Sequence, residues 1–256
     1  MRIISLSPSA TEILFALHVG NKVVAVDDKS NYPSAAPHTE LSGFQPNSEA
    51  IARYEPDLVI LTNDVEDAKG GRVVHNLQQK DVRVSLEPAP ATLDELYLQI
   101  ADIGKTVDAV PAADALINEI KQALSETVKK TPSKAKGKRI YHELDPSRYS
   151  ATSATFVGSI YALFGLRNIA DPFDQDRSGY PRLDDNAIIK ANPDFIFLAD
   201  TKCCVQNATA VASRKNWSKI NAVKNKAVIE LDDDIASRWG PRVVDLARAI
   251  SAAIAR

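Results

Sequence analysis

NSEAIARYEPDLVILTND occupies residues 47–64, and DDNAIIKANPDFIFLADT occupies residues 184–201. Laid over each other, the two stretches share Ala50/Ala187, Ile51/Ile188, Pro56/Pro193, Asp57/Asp194 and Leu61/Leu198, with Arg53 over Lys190. Each reads as a short helix with an acidic start, a Pro-Asp break and a buried apolar strand ending in a polar residue. A second echo stands in front of the first. SATEILFALHVG from Ser9 resembles SATFVGSIYALFG from Ser153, each a polar-capped helix ended by a glycine, Gly20 or Gly165. One echo alone would be ordinary α/β punctuation; two in the same order indicate duplication. The expected fold is therefore α/β, with two similar lobes of mainly parallel sheet and a ligand cleft between them.

Working outward, RIISL, VVAV from Val23, DLVIL and VRVSL from Val82 read as strands of the first lobe. Helices are expected near Ser48–Tyr54, Ala68–Gln79 and Thr92–Lys105. A helix also opens at Ser7-Pro8 or at Ser9, where Glu12 completes a capping box. Near-continuous apolar strands alternating with helices suit a parallel sheet covered on both faces. From Pro111 the rhythm changes. Apolar residues at Ala113, Leu116, Ile117, Ile120, Leu124 and Val128 keep helical spacing over about twenty residues, roughly 30 Å, and Pro132 ends the run. The spacing predicts a rigid inter-lobe helix and a division into residues 1–109, 110–131 and 132–256. In the second lobe KRIYHEL, RYSAT, DFIFLAD and AVIEL are the expected extended segments. DPFDQDRSGYPRLDD from Asp171 reads as a loop, and a closing helix starts near Pro241.

A 45% hydrophobic, 25% charged composition is that of an ordinary globule, and a formal charge of −2 gives no basic field for nucleic acid. The basic cluster KKTPSKAKGKR from Lys129 carries Pro, Ser and Gly and reads as a solvated linker. The motifs for dinucleotide, phosphate-loop, serine-elbow and zinc-helix chemistry are all missing, and the four histidines are scattered. His18 and His75 are expected to face solvent, while His142 lies on a strand and faces core or cleft. No metal site or cofactor is expected. Acid pairs such as Asp27-Asp28 and the run Asp232–Asp234 follow strands, where such residues serve as caps and turn formers more often than as acid or base groups. Little here indicates an enzyme. Cys203 and Cys204 are adjacent, so they do not form a usual structural staple. They read as half-buried small apolar residues at a strand end, or as a redox-labile pair lining the cleft.

In parallel α/β sheets, ligands meet the loops at the carboxyl ends of the strands. Those loops carry Ser7 and Ser9, Asp27–Tyr32, Asn63-Asp64, Glu143–Tyr149, Asp200–Cys204 and Asp232–Trp239. Phe44 precedes the first repeat helix and Tyr180 occupies the corresponding place before the second. With Tyr149 and Trp239 they suit a large flat ligand gripped by rings.

MRIISLSPSATEILFAL, SNYPSAAP, SGFQPNSEAIARYEPDLVIL and ASRWGPRVVDLARAI together resemble the substrate-binding proteins of ABC importers for vitamin B12, ferric siderophores and haem, nearest to B12-binding-like proteins of actinobacteria. The resemblance spans nearly the whole chain, with the motifs in the family's order. It implies two α/β lobes joined by one long helix. It also implies a monomer that captures a small metal chelate, with a corrinoid favoured over a ferric siderophore or haem, and delivers it to a membrane permease. Phe44 falls at an aromatic that packs on the corrin in the B12 binder, and Tyr149 and Tyr180 fall at pocket aromatics of the second lobe. Asp234 and Arg238 occupy polar rim positions, and Trp239 lies beside them. Lys29 and Thr62 stand where the B12 binder has a tyrosine and a tryptophan, so two aromatic walls are lost.

The same resemblance implies docking through a surface glutamate at the start of each repeat helix, pairing with arginines of the transporter. Glu49 matches the first. The counterpart position holds Asn186, with Asp184 and Asp185 in the same turn. The family's mature domain follows a leader and often a lipid-anchored cysteine, which implies an extracytoplasmic, membrane-associated protein. A genuine start at Met1 would instead fit a cytoplasmic two-lobed enzyme or ligand sensor.

Overall fold

The computed structural model describes residues 1–62 and 71–256. Its contacts separate two compact units. The first is Met1–Pro90 with Asp94–Ile120 and Trp239–Pro241; the second is Ala91–Leu93 with Lys121–Arg238 and Arg242–Arg256.

In the first unit β1 (Ile3–Ser5), β2 (Val23–Asp27), β3 (His38–Leu41), β4 (Leu58–Thr62) and β5 (Arg83–Glu87) form a parallel sheet in the order β3-β2-β1-β4-β5. Ile4, Leu6, Ala25, Val59 and Leu61 pack with Ile51 and Leu77 from the helices into one core. β3 is not legible in the sequence: HTEL has a single buried residue, Leu41, and lies at the sheet edge. The expected Ala68–Gln79 helix is seen as Arg72–Gln78, with its first residues, like the Asn63-Asp64 loop, outside the described residues.

The second unit holds β6 (Arg139–Glu143), β7 (Arg167–Asn168), β8 (Phe195–Leu198) and β9 (Val228–Glu230), parallel in the order β7-β6-β8-β9. The duplication holds to the residue. Ile3 pairs with Leu58 on β4, and Ile140 pairs with Phe195 on β8. The amide of Arg2 donates to the Asp57 carboxylate at 2.6 Å, and that of Arg139 donates to Asp194 at 2.9 Å. Asn47 and Asp184 cap the two repeat helices with their side chains, satisfying backbone donors that a helix start leaves free. Glu55 and Asn192, at matching places before the Pro-Asp break, both adopt φ 49°.

The second echo holds with a shift. Ser7, not Ser9, caps the helix Pro8–Ala16, and Thr155 caps Phe156–Leu163. Gly165 takes the left-handed position that ends its helix, φ 66°, but in the first unit His18 takes it, φ 60°. Gly20 lies two residues further on, opening a short 3-10 turn. RYSAT is not a strand: Tyr149 makes one isolated antiparallel bridge to Arg182.

The periodic segment from Pro111 forms one unbroken helix, Val110–Lys130, with Pro111 in its first turn. Ala113, Ile120 and Leu124 are buried along its stripe. The division between the two units falls within it, between Ile120 and Lys121.

Candidate functional site

In the first unit the loops after β1 and β2 are tied by buried hydroxyls. Thr11 Oγ1 donates to Ser5 Oγ at 2.9 Å and lies 3.0 Å from Ser30 Oγ, joining the strand end, the first helix and the 27–32 loop. Phe44 stands 77% exposed in the loop ahead of helix Ser48–Ala52. Gly43 lets this loop lie against the sheet, because a Cβ there would meet Asp27 Oδ2 at 2.6 Å and the Leu6 carbonyl at 2.8 Å. Lys29, in the loop after β2, is exposed and pairs with Asp28 at 2.9 Å. Trp239 is partly buried and groups with this unit by its contacts.

In the second unit two loops form a short ribbon. Ser150 N donates to the Pro181 carbonyl, Thr152 N to that of Gly179, and Leu183 N to that of Arg148. This brings Tyr149 and Tyr180 to neighbouring places, 44% and 51% exposed. Gly179, at φ 82° and pressed against Thr155, is clamped through its amide by Asp174 at 3.1 Å. A sequence read as loop is thus held by backbone bonds to residues 148–152 and by the carboxylates of Asp171, Asp174 and Asp176.

The run Asp232–Asp234 divides its labour. Asp232 caps helix Asp233–Ser237. Asp233 accepts the amides of Thr201, Lys202 and Cys203 at 2.8–3.0 Å and so fixes the turn after β8. Asp234 pairs with Arg238 at 2.8 Å and with Lys202 Nζ at 3.0 Å. The two predicted rim residues therefore belong to one charged cluster with Lys202 and Asp232, which lie 2.7 Å apart, and the pKa of Lys202 is raised chiefly by its hydrogen bond to Asp232. Cys203 and Cys204 are disulfide-bonded within this turn, Cys203 exposed and Cys204 half-buried.

Beneath that turn lies a charged core that the sequence reading missed. Glu143, fully buried at the end of β6, accepts both Arg214 terminal nitrogens, at 2.6 and 2.5 Å, and Gln206 accepts a further bond from Arg214 at 2.7 Å. The guanidinium lies 4.6 Å from the Trp217 ring centroid. Asp200, after β8, is fully buried with neither carboxylate oxygen hydrogen-bonded. Burial and the Glu143 charge push its pKa up to about 7. His142, buried on β6 with Nδ1 2.8 Å from the Tyr161 hydroxyl, is core rather than cleft; burial lowers its pKa to about 4. The sequence placed Glu143 and Asp200 at strand ends and His142 on a strand, but left open which way each side chain turns.

The docking candidates differ. Glu49 is open, its side chain 76% exposed with Lys80 3.6 Å away. Asp184 is spent on its helix cap, accepting from Ala187 N at 2.7 Å. Asp185 accepts from Arg148 Nε at 2.8 Å, and Asn186 is exposed. Among the described residues no group of three or more His, Cys, Asp or Glu is placed to hold a metal.

The sequence profile described as "Periplasmic binding protein" matches residues 3–235. An ABC transporter substrate-binding lipoprotein of Bacillus subtilis (strain 168) is 32% identical over 95% of this chain and 76% of its own length. A cobalamin-binding protein of Halobacterium salinarum is 27% identical over 95% of this chain and 66% of its own. Among solved structures, a periplasmic solute-binding protein of Staphylococcus epidermidis ATCC 12228, described there as possibly iron-binding, superposes with a TM-score of 0.85 at 28% identity. It covers 100% of this chain and 98% of that one.

Proposed function

Since the chain belongs to the periplasmic binding protein family, as a substrate-binding component of an ABC importer, we propose that the ligand it captures is a corrinoid. Its task is capture and delivery of a small ligand to a permease rather than chemistry. The observation that carries the reading is the exposure of Phe44, Tyr149 and Tyr180 on loops that flank the sheets. Large rings left in water are the surface that a flat or macrocyclic ligand would cover, gaining apolar burial and stacking. The Asp234–Arg238 pair, with Trp239 beside it in sequence, would supply the polar rim that orients such a ligand. The cobalamin-binding relative supports the corrinoid choice over a ferric siderophore or haem.

Residues 1–109 and 132–256 would serve as the two ligand-binding lobes, with residues 110–131 joining them. Glu49 would meet the permease. Asp184 and Asp185 would contribute on the second lobe only when released from their cap and ion pair. The lipoprotein among the relatives supports an extracytoplasmic protein held at the membrane by a lipid anchor.

The test is titration of the purified protein with cobalamin, haem and a ferric siderophore, followed by absorbance and tryptophan fluorescence. Saturable cobalamin binding is expected. Saturable binding of haem or the siderophore with none of cobalamin overturns the corrinoid assignment; no saturable binding of any overturns the assignment of the exposed rings to ligand capture.

A further inference from the structure

A cavity lies in the C-terminal unit, at the amino end of its sheet. It measures about 450 Å³ and is bounded by residues that precede β6, β8 and β9 and by the end of the closing helix Val243–Ala255. Its apolar walls come from Phe195, Ile229 and Ile254, with small alanines between. Its charged lining is Lys134, Lys138, Lys226, Arg256 and one acid, Asp194. That acid is already engaged, one oxygen accepting the Arg139 amide at 2.9 Å and the other 3.6 Å from Lys138 Nζ. Lys134 and Lys226 have no ion-pair partner among the described residues. An apolar hollow ringed by surplus cations is complementary to one kind of molecule, a hydrocarbon with an anionic end. Its volume falls in the range of small-ligand pockets, roughly 300–1,000 Å³.

We propose that this cavity is a binding site for a single-chain anionic amphiphile, a fatty-acid carboxylate. The chain would lie against Phe195, Ile229 and Ile254, and the head among Lys134, Lys138 and Lys226. This site is independent of the ligand proposed above. The rings and rim residues of that reading follow strands at the carboxyl end of the sheet, whereas these residues precede strands at its amino end.

Calorimetric titration of the whole protein with octanoate, decanoate and laurate, each below its micelle concentration, tests the site. Affinity should rise about fourfold per added methylene until the hollow is full. Lauryl alcohol, matched in length but uncharged, should bind at least about tenfold more weakly than laurate. The exposed double substitution Lys134→Glu/Lys226→Glu should weaken laurate about tenfold with an unchanged circular dichroism spectrum. Phe44→Ala should leave laurate binding as it is. The proposal is overturned by absence of binding, by equal affinity for the alcohol, by a charge-reversed protein that binds as the parent does, or by loss of laurate binding in Phe44→Ala. Sedimentation with phosphatidylglycerol vesicles in the absence of monomeric laurate binding would likewise overturn it, assigning the cations to a bilayer.

Discussion

Replacing Asp200 with asparagine removes a carboxyl that the fold holds in a costly place. Its backbone carbonyl accepts the amides of Cys204 and Gln206, so the chain fixes the residue, yet neither side-chain oxygen has a partner. Burial, then the negative charge of Glu143, raises the pKa from an ordinary 3.8 to about 7. Between those values the folded protein keeps the proton while the unfolded chain gives it up. The folded state then binds more protons, so stability falls as pH rises through this window and levels off above about pH 7. At about 1.4 kcal/mol per pH unit, the ionised carboxylate costs at most about 4 kcal/mol, of which about 2–3 kcal/mol accrues between pH 5 and pH 8. Asparagine does not titrate, so Asp200→Asn should be more stable than the parent, with an advantage that grows by about that amount from pH 5 to pH 8. His142 contributes an opposite trend. Its pKa of about 4 lies below the ordinary 6.5, so stability is lost as pH falls from 6.5 towards 4. That contribution is shared by both proteins and cancels in their difference. Urea unfolding of each at pH 5, 6, 7 and 8, compared at equal m-values, reads the effect. A stability difference that stays constant from pH 5 to pH 8 would refute the account of Asp200 as a buried acid.

Phe44→Ala and Tyr180→Ala should each weaken capture of the corrinoid about tenfold, since stacking adds about 0.5–1.5 kcal/mol to the burial that is lost; calorimetry checks this. Glu49→Lys should abolish ligand-dependent stimulation of ATP hydrolysis by the reconstituted transporter while leaving ligand affinity and melting temperature nearly as they were. Normal stimulation would leave Glu49 as a residue of the helix start only. Arg214→Ala strands buried Glu143 without its bidentate partner and should cost about 3–5 kcal/mol in urea unfolding. The double substitution Glu143→Gln/Arg214→Met should recover much of that loss, and a double variant as unstable as the single would count against a charge penalty.

What the sequence could show was whatever depends on neighbours in the chain. Over the described residues 47–62 and their counterparts 184–199 the repeat held because capping, the Pro-Asp break and apolar strand runs are local, and copies of them fold to the same register. The long helix was legible because its stripe, Ala113 to Val128, is set by helical period alone. Gly20 misled because a left-handed helix end is a backbone conformation that histidine can also adopt, as His18 does. β3 escaped because an edge strand needs few apolar residues, and its place is fixed by pairing with β2. The site divides along the same line. Phe44 and Tyr180 could be named as ring-bearing loop residues, and both are exposed, but the partners of each charge could not be read. Asp185 meets Arg148 across 37 positions, Thr201 meets Asp233 across 32, and Glu143 meets Arg214 across 71. Three adjacent aspartates look alike in the sequence, yet in the structure Asp232 caps a helix and pairs with Lys202, Asp233 anchors a turn, and Asp234 pairs with Arg238 and Lys202. Only the tertiary fold sets those roles, because a carboxylate's work depends on which donors reach it and how much water remains around it.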